Sequence, residues 1–210
     1  MVDLKEIEQK AADLRVLGMK IYIGQDTVYE KYWDEDCRRN IYSASKSFTS
    51  CAVGFAVQEG LIDLDERLMD AFKEDIPNNP DENLKKATVK DLLTMTLGQE
   101  KGFLMGKQRP RMEEQNWVKA SLAIPFVYEP GTHFVYNNVG PYLAGILVQR
   151  RAGCDLLSYL TPRLLKPLGI RKTIWEVDPE GNTFGAGGLF LTVSELHKLG
   201  MFYLQNGCWN

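Results

Sequence analysis

Residues 19–33, MKIYIGQDTVYEKYW, carry the chain's plainest strand pattern. β-Branched and aromatic residues fall in two short runs around a Gly24-Gln25-Asp26 turn. Strands are expected only near the front of this chain. A two-stranded hairpin is marginal in water and needs further strands or a packed helix to persist. The remaining sequence is therefore read for what completes it.

Most of that remainder is helical in pattern. Residues 3–15 place Leu4, Ile7, Ala11 and Leu14 on one stripe. A second helix is expected from Ser43, a hydroxyl residue suited to a helix N-terminus, to Gly60 at the C′ position. Its middle, CAVGFAV, is apolar all round and predicts a buried helix. Two helical patterns follow in 61–97, divided by the break Ile76-Pro77-Asn78-Asn79-Pro80, the second entered at Thr88 and stopped by Gly98. Residues 99–115, rich in Lys, Arg, Glu and Gly, read as an exposed loop, and Glu129-Pro130-Gly131 as a tight turn. Helices are expected over Val139–Arg150, with Pro141 in its first turn, and over 155–168. Thr192-Val193-Ser194-Glu195 is a capping box that launches a last helix to about Leu204.

Composition removes several functions. The chain has 210 residues, 44% hydrophobic and 25% charged, which suits a globular domain with a real core and excludes a disordered chain. Its net charge is −3, without a basic stripe, so nucleic acid is a poor partner. No apolar run approaches the length of a membrane span. Cys37, Cys51, Cys154 and Cys208 form no C-x-x-C pair and are expected as buried free thiols. With only His133 and His197 beside them, no metal site is expected. The N-terminus lacks the basic and apolar regions of a secretory signal, so a cytoplasmic location is expected.

Two short patterns carry chemistry. Ser43-Ala44-Ser45-Lys46 is an S-x-x-K match, and on a helix positions i and i+3 share a face, which sets Lys46 beside the Ser43 hydroxyl. Serine is a weak nucleophile that needs an adjacent base. A desolvated lysine can serve, because burial disfavours its charged form. The N-terminus of that helix directs a backbone N–H at an oxyanion formed on Ser43. Seven Ser and fifteen Lys give about 0.5 such matches by chance, so the pattern alone decides nothing. Tyr136-Asn137-Asn138 is a Y-x-N match, pairing a phenol able to move protons with an amide able to hold a carbonyl.

Order along the chain adds weight. IYSASKSFTS, GLIDLDERL, TVKDLLTMTLG, EPGTHFVYNNVGPYLAGILV, LLKPLGI and GAGGLFLTVSELHKLG follow one another over nearly the whole length. In this order they resemble the serine β-lactamase and penicillin-binding superfamily, in its class C and carboxylesterase-like branch. The resemblance implies an α+β multidomain fold. Residues 1–60 and 184–210 would form an incomplete antiparallel-sheet α/β domain, and residues 61–183 a helical domain. It implies Ser43 as the acylated nucleophile, Lys46 and Tyr136 sharing the proton shuttling, and Asn138 positioning substrate and lysine. No cofactor is implied, since nucleophile and base are side chains. The expected partners are small-molecule esters, D-amino-acid amides or peptides, or β-lactams. The missing signal peptide favours an esterase or small-peptide amidase.

The family's third motif, Lys or His, a small residue and Gly, is not matched convincingly. Lys198-Leu199-Gly200 falls within the last helical pattern, and Lys172-Thr173 is followed by Ile174. The chain is therefore expected to be the front part of a longer protein, with an open strand edge, self-association or pairing with a C-terminal segment, and little activity alone. The rival expectation is a non-catalytic module that binds a ligand or partner through the same cleft. Among other residues, His133 is expected in a loop and His197 on a helix face. Ser45 and Cys51 are read as helix residues. Gly185-Ala186-Gly187-Gly188 reads either as a backbone nest or as a tight turn. Phe103, Leu104 and Trp117 are expected to wall a pocket or to lie in a mobile loop.

Overall fold

The computed structural model describes residues 4–24 and 26–209. Asp3, the first residue of the expected front helix, and Gln25 of the hairpin turn lie outside the described residues. α1 (Lys5–Asp13) leads into an antiparallel hairpin of β1 (Gly18–Ile23) and β2 (Asp26–Tyr32). Met19 faces Lys31 and Ile21 faces Tyr29, and the register slips between Ile21 and Tyr22. The stripe on α1 is only partly used: Ala11 is buried, whereas Leu14 is exposed.

A second, smaller sheet departs from the expectation that strands occur only near the front. β3 (Arg39–Asn40) pairs antiparallel with β4 (Phe190–Leu191), Arg39 opposite Leu191 and Asn40 opposite Phe190. Two-residue strands carry no periodicity, which is why the pattern did not reveal them. This pairing brings the late glycine-rich segment beside residues 39–41, and the Ile41 N–H continues it by donating to the Leu189 carbonyl at 2.9 Å.

α2 (Ser45–Gln58) and α7 (Val139–Ala152) pack together at the centre. α7 is buried all round from Val139 to Gln149. α2 is not, contrary to expectation: Phe48, Ala52, Val53 and Ala56 are buried, while Gly54 and Val57 face outward. Around these lie α3 (Leu68–Ala71), α4 (Glu82–Lys86), α5 (Val89–Thr94), α6 (Trp117–Leu122) and α8 (Leu156–Leu160). Residues 61–97 thus hold three short helices instead of two patterns. α5 follows Thr88 as expected, with a Thr88–Asp91 capping box that the structure adds, but ends at Thr94, ahead of Gly98, because Met95 takes a left-handed φ of +57°. α8 gives way to a wide turn over Thr161–Leu165, where Pro162 lacks an N–H and the Lys166 N–H reaches back to the Thr161 carbonyl at 2.8 Å.

α9 (Val193–Leu204) keeps the expected bounds and capping box. It closes over β1. The Tyr32 hydroxyl bonds to Ser194 Oγ at 2.9 Å, and the Val193 N–H donates to Asp36 at 2.9 Å. Among the described residues, a hydrophobic cluster runs from Phe48 through Leu92 and Leu147 to Leu199. Apolar surface remains uncovered on the hairpin at Ile23 and Val28.

Candidate functional site

Ser43 does not begin α2. Tyr42, just before it, has a φ of +48°, and Tyr42–Ala44 form a 3-10 turn that leads into the helix at Ser45. A side chain in that left-handed region costs about 1–2 kcal/mol. The turn lifts Ser43 out of the regular helix and leaves it exposed, while Lys46 lies in the first turn of α2. The i, i+3 relation survives: Lys46 Nζ donates to Ser43 Oγ at 3.2 Å. The same ammonium donates to Asn138 Oδ1 at 2.7 Å and to the Ala186 carbonyl at 2.6 Å. The Tyr136 hydroxyl donates to Ser43 Oγ at 2.6 Å. Ser43, Lys46, Tyr136 and Asn138 are thus brought to one place.

Each partner is held from behind. Asn138 sits at the entry to α7 and its Nδ2 donates to the Leu104 carbonyl at 2.9 Å, so its oxygen is left facing Lys46. The glycine run supplies carbonyls to α2. Thr49 Oγ1 donates to the Gly185 carbonyl at 2.7 Å, and Ala186 receives Lys46. Ser45 Oγ, fully buried, accepts the Leu189 N–H at 3.1 Å, which makes Ser45 a structural residue. Within Gly185–Gly188, the first two carbonyls thus accept from α2, while those of Gly187 and Gly188 accept Trp175 Nε1–H and the Glu176 N–H at 2.8 and 2.9 Å.

Electrostatics follow from this packing. Burial pushes the Lys46 ammonium below its ordinary 10.5, aided by the positive charge of Arg109 and opposed by Tyr136. Burial alone would raise the Tyr136 phenol. Its hydrogen bonds to Ser43 and Lys46, with the charge on Lys46, more than offset that and bring it below 10.0. The Lys46 ammonium lies 5.2 Å from the centre of the Tyr136 ring.

A family model described as Beta-lactamase matches residues 4–207. The chain belongs to the beta-lactamase family. It is 31% identical over 157 residues to the monacolin J acid methylbutanoyltransferase of Aspergillus terreus, covering 65% of this chain and 37% of that protein. It is 31% identical over 150 residues to the lovastatin esterase of Penicillium rubens, covering 61% of this chain and 37% of that protein. The matched part thus spans little more than a third of those relatives. Among solved structures, the octameric penicillin-binding protein homologue from Pyrococcus abyssi superposes with a TM-score of 0.76 at 22% identity, over 98% of this chain and 57% of that one. The fold is accordingly β-lactamase/transpeptidase-like, mixed α+β.

Other expectations for this beta-lactamase-family chain fare unevenly. His133 stacks on Tyr128 with centroids 4.3 Å apart and contacts Thr132, among none of the four central side chains. His197 lies on α9 with its ring edge-on to Tyr22. Lys198 also lies in α9 and donates to the Gly169 carbonyl at 3.2 Å. The cysteines are free but not buried: Cys37, Cys154 and Cys208 fall in exposed connections, and Cys51 is half-buried beside the Tyr203 hydroxyl. Residues 99–115 are not simply an exposed loop, since Leu104 and Gln99 are buried. Phe103, Leu104 and Trp117 are packed residues, and the Leu104 carbonyl serves Asn138. Among the described residues, no group of three or more His, Cys, Asp or Glu is placed to hold a metal ion, and no helix is long and apolar enough to cross a membrane. Sequence reasoning missed Asn40, Arg109 and Glu176. Glu176 accepts Asn40 Nδ2 and Arg109 Nη1, both at 3.1 Å.

Proposed function

We propose that the protein is a serine acyl-transfer enzyme, acting through a Ser43 acyl-enzyme on carboxylic esters, with water or a second alcohol as acceptor. The observation that carries this reading is the Ser43 hydroxyl lying 2.6 Å from a phenol and 3.2 Å from an ammonium. Lys46 has three N–H donors and faces three oxygen acceptors, so its hydrogen bonds favour the charged form. The base is then Tyr136, whose phenolate the ammonium stabilises.

As Ser43 Oγ attacks the ester carbonyl carbon, its proton passes to the Tyr136 oxygen. The leaving alkoxide takes that proton as the C–O bond breaks. Water or an alcohol then attacks acyl-Ser43, gives its proton to Tyr136, and Ser43 is regained when Tyr136 returns it. Asn138 keeps Lys46 in register throughout. The choice between hydrolysis and transfer lies with the acceptor. The names of the two relatives, an esterase and an acyltransferase, support both outcomes from one acyl-enzyme. Amides and β-lactams remain in the substrate class on the same chemistry, since each presents a carbonyl carbon to Ser43.

The test is intact-mass analysis after incubation with an activated ester and with a fluorophosphonate. One adduct is expected on the wild-type chain and none on Ser43→Ala. A fluorophosphonate adduct retained by Ser43→Ala overturns the assignment. Ligand affinity in Ser43→Ala, with no adduct on either protein, favours a binding module.

A further inference from the structure

Tyr42 directly precedes Ser43 in the turn that carries it. Its φ of +48° is one that an aromatic residue holds only where its surroundings over-determine it. Its ring does not provide that, since it is 74% exposed. The restraint acts on the backbone. The Tyr42 N–H donates to Asn40 Oδ1 at 2.7 Å, and the flanking Ile41 N–H is fixed on the Leu189 carbonyl.

The Asn40 side chain is in turn fixed. Its Nδ2 donates to Glu176 Oε1 at 3.1 Å, and Glu176 Oε2 accepts Arg109 Nη1 at 3.1 Å. The Arg109 guanidinium lies 4.2 Å from the centre of the Phe184 ring. Glu176 is clamped along its backbone: its N–H donates to the Gly188 carbonyl and its carbonyl accepts the Phe184 N–H, both at 2.9 Å. Gly188 has a φ of +82°, and a Cβ there would stand 2.5 Å from Glu176 Cβ, so glycine is what lets the carboxylate approach.

The polarity of this chain of contacts runs one way. Arginine only donates and a carboxylate only accepts, so the Asn40 amide nitrogen must face Glu176. Its oxygen is thereby turned to the Tyr42 N–H. We propose that Arg109, Glu176 and Asn40 form a positioning relay that holds the Tyr42–Ser43 turn and so sets Ser43 Oγ against Tyr136 and Lys46. The proposal rests on the reading of Ser43 as nucleophile given above. None of the three need touch substrate.

The experiment compares Asn40→Ala, Asn40→Asp and the double variant Asn40→Asp with Glu176→Gln. Two readouts are taken: the rate constant of Ser43 labelling by a fluorophosphonate, resolved from probe affinity, and hydrogen exchange at the Tyr42 amide. Asn40→Ala is expected to slow labelling about 10- to 100-fold at unchanged probe affinity, since small misplacements of a reacting atom cost that much. Its Tyr42 amide exchanges faster. Asn40→Asp keeps the acceptor for Tyr42 but sets two carboxylates together, and also slows labelling. Adding Glu176→Gln lets the new amide donate to the introduced carboxylate and accept from Arg109, and is expected to restore most of the rate and the slow exchange. A purely structural clip would not return activity through reversed polarity.

Labelling of Asn40→Ala at the wild-type rate overturns the relay, as does a double variant no faster than Asn40→Asp. An adduct that survives Ser43→Ala overturns the nucleophile instead. Tyr42 exchange is read on unlabelled protein, so unchanged exchange in Asn40→Ala overturns the relay whatever the labelling shows.

Discussion

Lys46 shows opposed effects meeting on one side chain. Burial lowers its pKa, but Ser43, Asn138 and Ala186 each offer it an oxygen. Tyr136 benefits, because its own pKa falls when the ammonium is beside it. The base form of Tyr136 is the deprotonated one, so Ser43 acylation is expected to rise as pH climbs through a midpoint below tyrosine's ordinary 10.0. Tyr136→Phe should lower the acylation rate by about 10²- to 10⁴-fold and remove that rising limb. Stopped-flow labelling across pH reads both, and an unchanged limb in Tyr136→Phe would move the base role elsewhere. These four residues were legible because S-x-x-K and Y-x-N are local spacings. Asn40, Arg109 and Glu176 were not, since Glu176 lies 136 positions from Asn40 and 67 from Arg109. No local pattern registers such a contact.

At the scale of elements, the hydrophobic pattern reports how apolar a helix is but not which side has neighbours. α2 reads as apolar all round yet has an open face, whereas α7 is the helix that is enclosed. Their glycines make the difference testable. Gly140 in the first turn of α7 lies against α5, and a Cβ there would stand 2.2 Å from the Leu92 carbonyl oxygen. Gly54 in α2 is exposed, with nothing within 4 Å of its Cβ position. Gly140→Ala must push two helices apart and should cost about 1–3 kcal/mol. Gly54→Ala should add about 0.5–1 kcal/mol, by the lower helix propensity of glycine. Urea unfolding of the two variants checks the opposite signs. A similar shift in both would mean that α5 and α7 yield at little cost. The helix start at Thr88 and the capping box at Thr192 were readable in advance because they are local. The ends of α5 and α8 were not: at α5 the left-handed Met95, not Gly98, stops the helix.

At the scale of the molecule, the lone hairpin finds its support in the far end of the described chain. α9 lies over β1, and Arg38 ties the segment after β2 to it. Arg38 donates Nε and Nη2 to the two oxygens of Glu195, at 3.0 and 2.6 Å, and also reaches the carbonyls of Arg171 and Lys172. Burial alone would raise the Glu195 carboxyl, but the Arg38 hydrogen bonds, the Thr192 N–H and the charges on Arg38 and Lys198 together outweigh it and hold the group below its ordinary 4.5. A carboxylate depressed in the folded state stabilises the fold above its unfolded pKa, and that contribution is lost as pH falls through the folded value. Arg38→Met leaves Glu195 short of its partner and should cost about 1.5–3 kcal/mol at pH 7, the range for hydrogen bonds to a charged group. The gap between variant and wild type should narrow on acidification, once Glu195 is protonated in both. Urea midpoints at neutral and acid pH measure it. An equal deficit at both would place the tie in the carbonyl bonds to Arg171 and Lys172, and the charge on Glu195 would then have no part in holding the ends of this chain together.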